Sequence, residues 1–330
     1  MVTQGSNVKY VWLNPTPGLM NNKLRTWAAE ANVVPMRIPG YWFDEEGANT
    51  PIGTSPRPSE KIIYSLHGGG YVLASASPDA RHSTIVHGLL KHCEGVQRIF
   101  AVEYRLSRAA PEDIPANAFP AALLDALAGY TYLVQSVGFS PQDIIVEGDS
   151  AGGNLALALT RYLIENNGLA DLPPPPGALI LLSPWVDLSP TTPPPGSRAA
   201  ENATVDYLVV PTLTRYSWRA FLGSRDPLDL YISPGSNDPR MPPVSFDGFP
   251  RSFAITGGAE IFIDQIGVLV ERMKSPGDRV TYYEAPHEVH GYLVFSWSEP
   301  ERTATELRSG RSLSGWKTSK VDSMYTVAPL

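Results

Sequence analysis

The run Asp143-Ile144-Ile145-Val146-Glu147-Gly148-Asp149-Ser150-Ala151-Gly152-Gly153-Asn154 joins three local signals in one short stretch. Its apolar, β-branched start reads as a buried strand. A Gly-x-Ser-x-Gly turn follows, and Leu155-Ala156-Leu157-Ala158-Leu159 opens a helix. Strand, sharp turn and helix in that order make a nucleophile elbow, which exposes a serine oxygen at the end of a sheet. The turn crowds the serine backbone, so the flanking positions must be small, as Gly148 and Gly152 are. The helix N-terminus beside Ser150 favours negative charge. The pentapeptide alone would occur by chance in roughly one chain in ten of this length at ordinary glycine usage. Its weight comes from the strand and helix around it and from a second motif upstream.

That second motif is His67-Gly68-Gly69-Gly70-Tyr71, directly after the strand-like Lys61-Ile62-Ile63-Tyr64-Ser65-Leu66. Three glycines let the backbone turn its amides into a site. Acyl transfer passes through a tetrahedral oxyanion that needs such preorganised donors. The amides of Gly68, Gly69 and Ala151 are the expected three, with His67 and Gly70 shaping the loop. No Lys-Ser or Lys-Thr follows the glycines, so a phosphate loop is the poorer reading.

A serine hydroxyl needs a base. Of six histidines, His67 belongs to the glycine turn. His82, His87 and His92 share one helix-like stretch and read as core or solvated residues. His287 and His290 follow the strand candidate Val280 to Glu284, and His290, ahead of Gly291 and Tyr292, is favoured as the base. The third member should be a carboxylate at a strand end between Ser150 and His290. After Ser252 to Thr256 the chain reads Gly257-Gly258-Ala259-Glu260-Ile261-Phe262-Ile263-Asp264. Glu260 lies nearer the strand end and is preferred. Asp264 is the alternative, since a carboxylate in a first helical turn is common for dipole reasons alone.

From residue 61 onward strand candidates at 61–66, 97–104, 143–147, 178–182, 252–256 and 280–284 alternate with helical patterns, including a helix over 115–137 that Pro115 would open. That alternation predicts an α/β fold with a mostly parallel central sheet and helices on both faces. Sites in such sheets lie beyond the carboxyl ends of the strands. Residues 1–50 and the insertion 187–244 show no sheet-like run and are expected to form a helical cap over a core of 51–186 and 245–330. Trp12, Trp27, Tyr41, Trp42, Tyr207, Tyr216 and Trp218 fall in those cap segments. Some are expected to line an apolar pocket, and the rest to pack the cap onto the core.

Composition narrows the classes. The chain of 330 residues carries a net charge of −7 and no dense Lys/Arg run, so neither nucleic acid nor an anionic membrane surface is favoured. Cys93 stands alone, which rules out an intrachain disulfide and a thiolate metal site. No metal and no cofactor is expected. Met1 to Asn7 lacks a basic, then apolar leader, so a cytoplasmic protein is expected. No apolar run approaches the ~20 residues of a membrane helix. Proline is high, at 32 residues. The clusters Pro173 to Pro176 and Pro190 to Pro195 read as a stiff connector and a surface loop. No motif encodes an oligomeric state, and a homodimer is compatible with the sequence.

The sequence resembles the hormone-sensitive-lipase-like branch of the α/β-hydrolases, the bacterial family IV esterases and their fungal relatives. The resemblance is carried by His67-Gly68-Gly69-Gly70, Tyr104-Arg105-Leu106 with Phe119-Pro120-Ala121-Ala122, Gly148 to Asn154, Ser183-Pro184-Trp185 and His290-Gly291-Tyr292. It implies an α/β-hydrolase fold and a serine carboxylesterase acting on small esters of short to medium acyl chain. It also implies that Asp149 supports the glycine loop. Two departures stand out. Glu260 occupies the place where family members often have the first Asp of Asp-Pro-Leu-Arg-Asp, as in several eukaryotic relatives, and Asp264 takes the second carboxylate's place. Ser107-Arg108-Ala109 separates Tyr104-Arg105-Leu106 from Ala110-Pro111-Glu112, a longer loop expected to reshape the pocket wall. The rival readings are an acyltransferase or deacetylase using the same triad, and a small-ligand receptor that has lost catalysis.

Overall fold

In a computed structural model of the chain, the structure describes residues 9–189, 192–209, 211–274 and 279–313. Met1 to Asn7, read above for a leader, and Pro190 of the second proline cluster lie outside them. In chain order the elements are β1 (Lys9–Leu13), α1 (Asn22–Glu30), β2 (Ile38–Asp44), β3 (Lys61–Leu66), α2 (Ser83–His92) and β4 (Val96–Val102). Then come α3 (Ala121–Thr131), β5 (Ile144–Asp149), α4 (Ala151–Glu165), β6 (Ala178–Leu182), α5 (Arg198–Asn202) and α6 (Pro211–Leu222). The last are β7 (Arg251–Gly257), α7 (Ile263–Lys274), β8 (Val280–Ala285) and α8 (Glu301–Leu313).

β3, β5 and β6 are buried along nearly their whole length and carry the apolar runs Ile62-Ile63-Tyr64, Ile144-Ile145-Val146 and Ala178 to Leu182. Such continuous apolar strands suit a parallel sheet covered on both faces. The strands form one sheet in the order β1-β2-β4-β3-β5-β6-β7-β8. Every pairing from β4 to β8 is parallel. Leu24 and Trp27 of α1, Leu123 and Leu127 of α3, Leu155 of α4 and Ile266 of α7 pack with Tyr64 and Leu66 on one face. Ile85 and Leu89 of α2 pack with Ile63, Ile99 and Ile145 on the other. Parallel strands of this kind carry their C-terminal ends to one edge, and β3, β5, β7 and β8 all lead there into site residues.

Residues 9–50 do hold sheet-like runs, contrary to expectation. They supply β1 and β2, which extend the sheet by antiparallel pairing of β1 with β2 and β2 with β4. β2 is Ile-Pro-Gly-Tyr-Trp-Phe-Asp, and Pro39-Gly40 reads locally as a turn. Tertiary contact overrides that: the Phe100 ring of β4 occupies the space a Cβ on Gly40 would need. α1, capped by the Asn21 side chain accepting from Leu24 N at 2.7 Å, lies on the sheet. Its Trp27 packs between Phe119 and Tyr231. The helix expected over 115–137 begins at Ala121 instead. Arg108 and Ala116 exchange backbone hydrogen bonds and keep Pro115 in a closed loop. The helix then widens into a π turn over Tyr132–Val137 and stops at Gly138, whose φ is 96°. Between β6 and β7 the described residues hold α5 and α6 and no strand. Among the described residues no helix is long and apolar enough to cross a membrane.

The C-terminal α8 packs on α2, bringing Glu306 to 3.6 Å from His92. Burial pushes the Glu306 carboxyl up to about 7 from an ordinary 4.5. Between those values the folded state keeps a proton that the unfolded chain has lost, so this group's contribution to stability falls as pH rises through the window. Glu306→Gln is therefore expected to raise Tm by a few degrees at pH 8, with the gain vanishing near pH 4.5. Equal melting temperatures for the two proteins at pH 8, by calorimetry, would contradict this account of the α2–α8 interface.

Candidate active site

β5 ends at Asp149, and Ser150 follows at φ 53°, ψ −115° before α4 begins. A non-glycine residue there carries strain of order 1–3 kcal/mol, which the surroundings must over-determine. Ser150 N donates to Leu182 O of β6 at 2.8 Å, and Trp185 N donates to Ser150 O at 3.0 Å. The turn is also wedged between neighbours. A Cβ on Gly152 would collide with the Leu66 carbonyl of β3, and one on Gly148 with the Gly152 backbone.

The loop after β8 brings His290, 3% exposed, against this serine, with Nε2 at 2.9 Å from Ser150 Oγ. On its other side Nδ1 faces Glu260 Oε1 at 3.5 Å, long for an N–H···O bond to a carboxylate. Glu260 is fully buried, and its Oε2 accepts from Ser183 Oγ at 2.6 Å and from Gly257 N at 2.7 Å. A carboxylate opposite Nδ1 assigns the ring proton to Nδ1, leaving Nε2 free to accept from the serine hydroxyl. Asp264 is not brought to His290. It sits in the first turn of α7, and its Oδ2 accepts from Ala199 N at 2.9 Å, tying α7 to α5. His287 is exposed on the turn after β8 at φ 64°.

The glycine loop departs from expectation at one position. Gly68 N donates to Asp149 Oδ1 at 2.8 Å, so this amide is committed to a buried carboxylate. It is not one of the open donors. The amides of Gly69, in a left-handed turn at φ 97°, and of Ala151, the first residue of α4, have no acceptor among the described residues. His67 stacks on Tyr104, ring centroids 4.1 Å apart. Burial, with His82 nearby, lowers its pKa to about 4. The neutral ring donates from Nδ1 to Gly68 O at 2.8 Å, and the Tyr104 hydroxyl donates to His67 O at 2.6 Å. Gly70, at φ 60°, packs directly against Ser217 of α6, whose side chain fills the space a Cβ there would need.

His82, expected from the sequence as a core or solvated residue, is a buried partner of the glycine loop's carboxylate. It is 4% exposed, and its Nδ1 lies 2.8 Å from Asp149 Oδ1, an ion-pair contact rather than an aligned hydrogen bond. Burial alone would lower the His82 pKa, but the Asp149 and Glu147 carboxylates outweigh it and raise the value. Burial alone would raise the Asp149 carboxyl, and His82 beside it reverses the sign and lowers it. No local pattern marks His82, because its partner is on a strand far along the chain.

A cavity of about 270 Å³ opens above Ser150 and His290. Trp185, Phe262 and Phe295 from strand-end loops and Tyr207 from the insertion form its apolar walls, and Arg81 is also among the lining residues. Of the aromatics expected around a pocket, Tyr207 alone lines it, while Trp27, Tyr41 and Trp42 are buried in the core. No residue of 107–112 lines it either. Ser107 N donates to Tyr71 O at 2.7 Å and Arg108 closes on Ala116, which folds the longer loop away from the pocket wall.

A sequence model for the alpha/beta hydrolase fold matches residues 63–294. An acetyl-hydrolase of Streptomyces hygroscopicus is 29% identical over 244 residues, covering 74% of this chain and 71% of its own length. Esterase LipU of Mycobacterium tuberculosis is 26% identical over 253 residues, covering 74% of each. The crystal structure of an esterase from the bacterial hormone-sensitive lipase family is 25% identical, with a TM-score of 0.66, covering 94% of this chain and 84% of that one.

The wedge at the elbow yields a direct test. Gly152→Ala must displace β3 backbone, so it is expected to cost about 1–3 kcal/mol and to lower the urea midpoint and the activity together. Gly18→Ala, where a Cβ meets nothing within 4 Å, serves as the control and should keep the wild-type midpoint. A Gly152→Ala protein with wild-type midpoint and activity would show that the elbow is not sterically set in this way.

Proposed function

The chain belongs to the α/β-hydrolase-fold family, in its hormone-sensitive-lipase-like branch, and on that premise we propose that it hydrolyses carboxylic esters of short to medium acyl chain through an acyl-enzyme on Ser150. The observation that carries the chemistry is the line Ser150 Oγ, His290 Nε2, His290 Nδ1, Glu260 Oε1, with contacts of 2.9 and 3.5 Å. His290 takes the Ser150 proton as the oxygen attacks the ester carbonyl. The amides of Gly69 and Ala151 receive the developing oxyanion. His290 then gives the proton to the departing alcohol, and water repeats the cycle to release the acid. Glu260 holds the Nδ1–H tautomer and offsets the charge of the imidazolium. Ser183 and Gly257 keep Glu260 aimed, and the 3.5 Å contact shortens as that charge forms.

Pocket size supports the substrate range. About 270 Å³ falls just below the ~300–1,000 Å³ of sites for drug-sized ligands, which suits small apolar esters. The Streptomyces relative named acetyl-hydrolase points the same way, towards acetyl esters. α5, α6 and Tyr207 of residues 187–244 act in this reading as the cap that closes the pocket.

Ser150→Ala is expected to lower kcat by about 10⁴-fold or more. Glu260→Gln should lower it by about 10³- to 10⁴-fold, while Asp264→Asn stays within a few-fold of wild type. A near-normal rate in Ser150→Ala, or a larger loss in Asp264→Asn than in Glu260→Gln, would overturn the assignment. A kcat/KM series over p-nitrophenyl esters should peak between acetyl and hexanoyl and drop sharply by decanoyl. A maximum at dodecanoyl would contradict the pocket argument.

A further inference from the structure

Beneath the glycine loop lies a buried chain of polar groups that none of the steps above employs. Ser65 lies near the end of β3, Glu147 and Asp149 lie on β5, and His82 leads into α2. All four are at most 8% exposed. Ser65 Oγ donates to Glu147 Oε2 at 2.6 Å. The hydroxyl has one proton, so Ser65 Oγ can only accept from His82 Nε2, 2.7 Å away. His82 Nδ1 faces Asp149 Oδ1 at 2.8 Å. The Asp149 carboxylate opposite Nδ1 outweighs the burial of the ring and holds it toward the imidazolium form. The same Asp149 oxygen accepts from Gly68 N at 2.8 Å. An apolar side chain in place of His82 would leave two buried carboxylates without their cation.

Resting on the esterase reading above, we propose that His82 is a positioning residue for the oxyanion site: through Asp149 it fixes Gly68, and with it the adjoining Gly69 amide, in the orientation the tetrahedral intermediate needs. Its hold is electrostatic and draws on three elements that meet under Ser150. The other ionisable groups around it fit this role. His67, with ring centroid 6.1 Å away, is neutral. Glu103 accepts from donors of its own, Ser75 Oγ at 2.7 Å and Ala76 N at 2.8 Å, and its charge adds to the pull that keeps His82 protonated. Glu147 Oε1 has no hydrogen-bond partner, and burial pushes that carboxyl up to about 7. His82 is thus the one cation in direct contact with this cluster among the described residues.

The interaction matters only when charge develops on the substrate oxygen, so it separates kcat from KM. His82→Gln keeps a donor for Asp149 and removes the charge. In this variant kcat per active site, titrated with a fluorophosphonate, is expected to fall about 10- to 100-fold. This is less than the ~10²–10³ for outright loss of an oxyanion donor. KM should stay within about twofold, and Ki for a trifluoromethyl ketone should rise by the same factor as kcat falls. Glu147→Gln, which leaves the Asp149 contact in place, should show a smaller loss with the same proportionality, and it reads the proposal if His82→Gln does not fold. Wild-type kcat per titrated site in either folded variant, or a loss that appears only as a smaller titrated fraction, overturns the role of His82. Retained turnover in Ser150→Ala overturns the esterase reading itself, so the two failures are distinguishable.

Discussion

The close approach of the turn at Ser150 to the end of β3 is the constraint on which the rest of the site depends. Gly152 lets the two backbones touch, with the Leu66 carbonyl filling the space a side chain would need, and Gly148 lets the turn close on itself. Leu66 leads into the glycine loop and Ser150 leads into α4. One contact therefore places the Ser150 hydroxyl, the proposed nucleophile, beside the glycine loop proposed to receive the oxyanion. The left-handed backbone at Ser150 is paid for by hydrogen bonds to Leu182 and Trp185, so the strained residue stays where the sheet puts it.

Around that contact the fold arranges two buried carboxylate–histidine pairs. Glu260 with His290 lies on the β7–β8 side and faces the serine. Asp149 with His82 lies on the β3–β5 side and faces the loop. Each carboxylate is further held by a backbone amide, Gly257 for Glu260 and Gly68 for Asp149. Isolated buried charges are costly, and pairing with donors makes both arrangements rigid.

The central strands were legible in the sequence because burial on both faces demands unbroken apolar runs, as in Ile144-Ile145-Val146 and Ala178-Leu179-Ile180-Leu181-Leu182. The elbow was legible because its steric rule acts within five residues. β1 and β2 were not, since Pro39-Gly40 mimics a turn and only Phe100 on β4 explains the glycine. Chain position favoured Glu260 over Asp264, but the bond that occupies Asp264, from Ala199 on a short helix of the insertion, has no local signature. The commitment of Gly68 to Asp149 and the charge on His82 arise from partners many residues away, so no spacing rule reaches them.

The most direct test of the account is the crystal structure of the covalent adduct formed by an alkyl fluorophosphonate. The account predicts phosphorus bonded to Ser150 Oγ and a phosphonyl oxygen about 2.7–3.1 Å from the amides of Gly69 and Ala151, with Gly68 still bound to Asp149. An adduct on another residue, or a phosphonyl oxygen turned away from both amides, would contradict it.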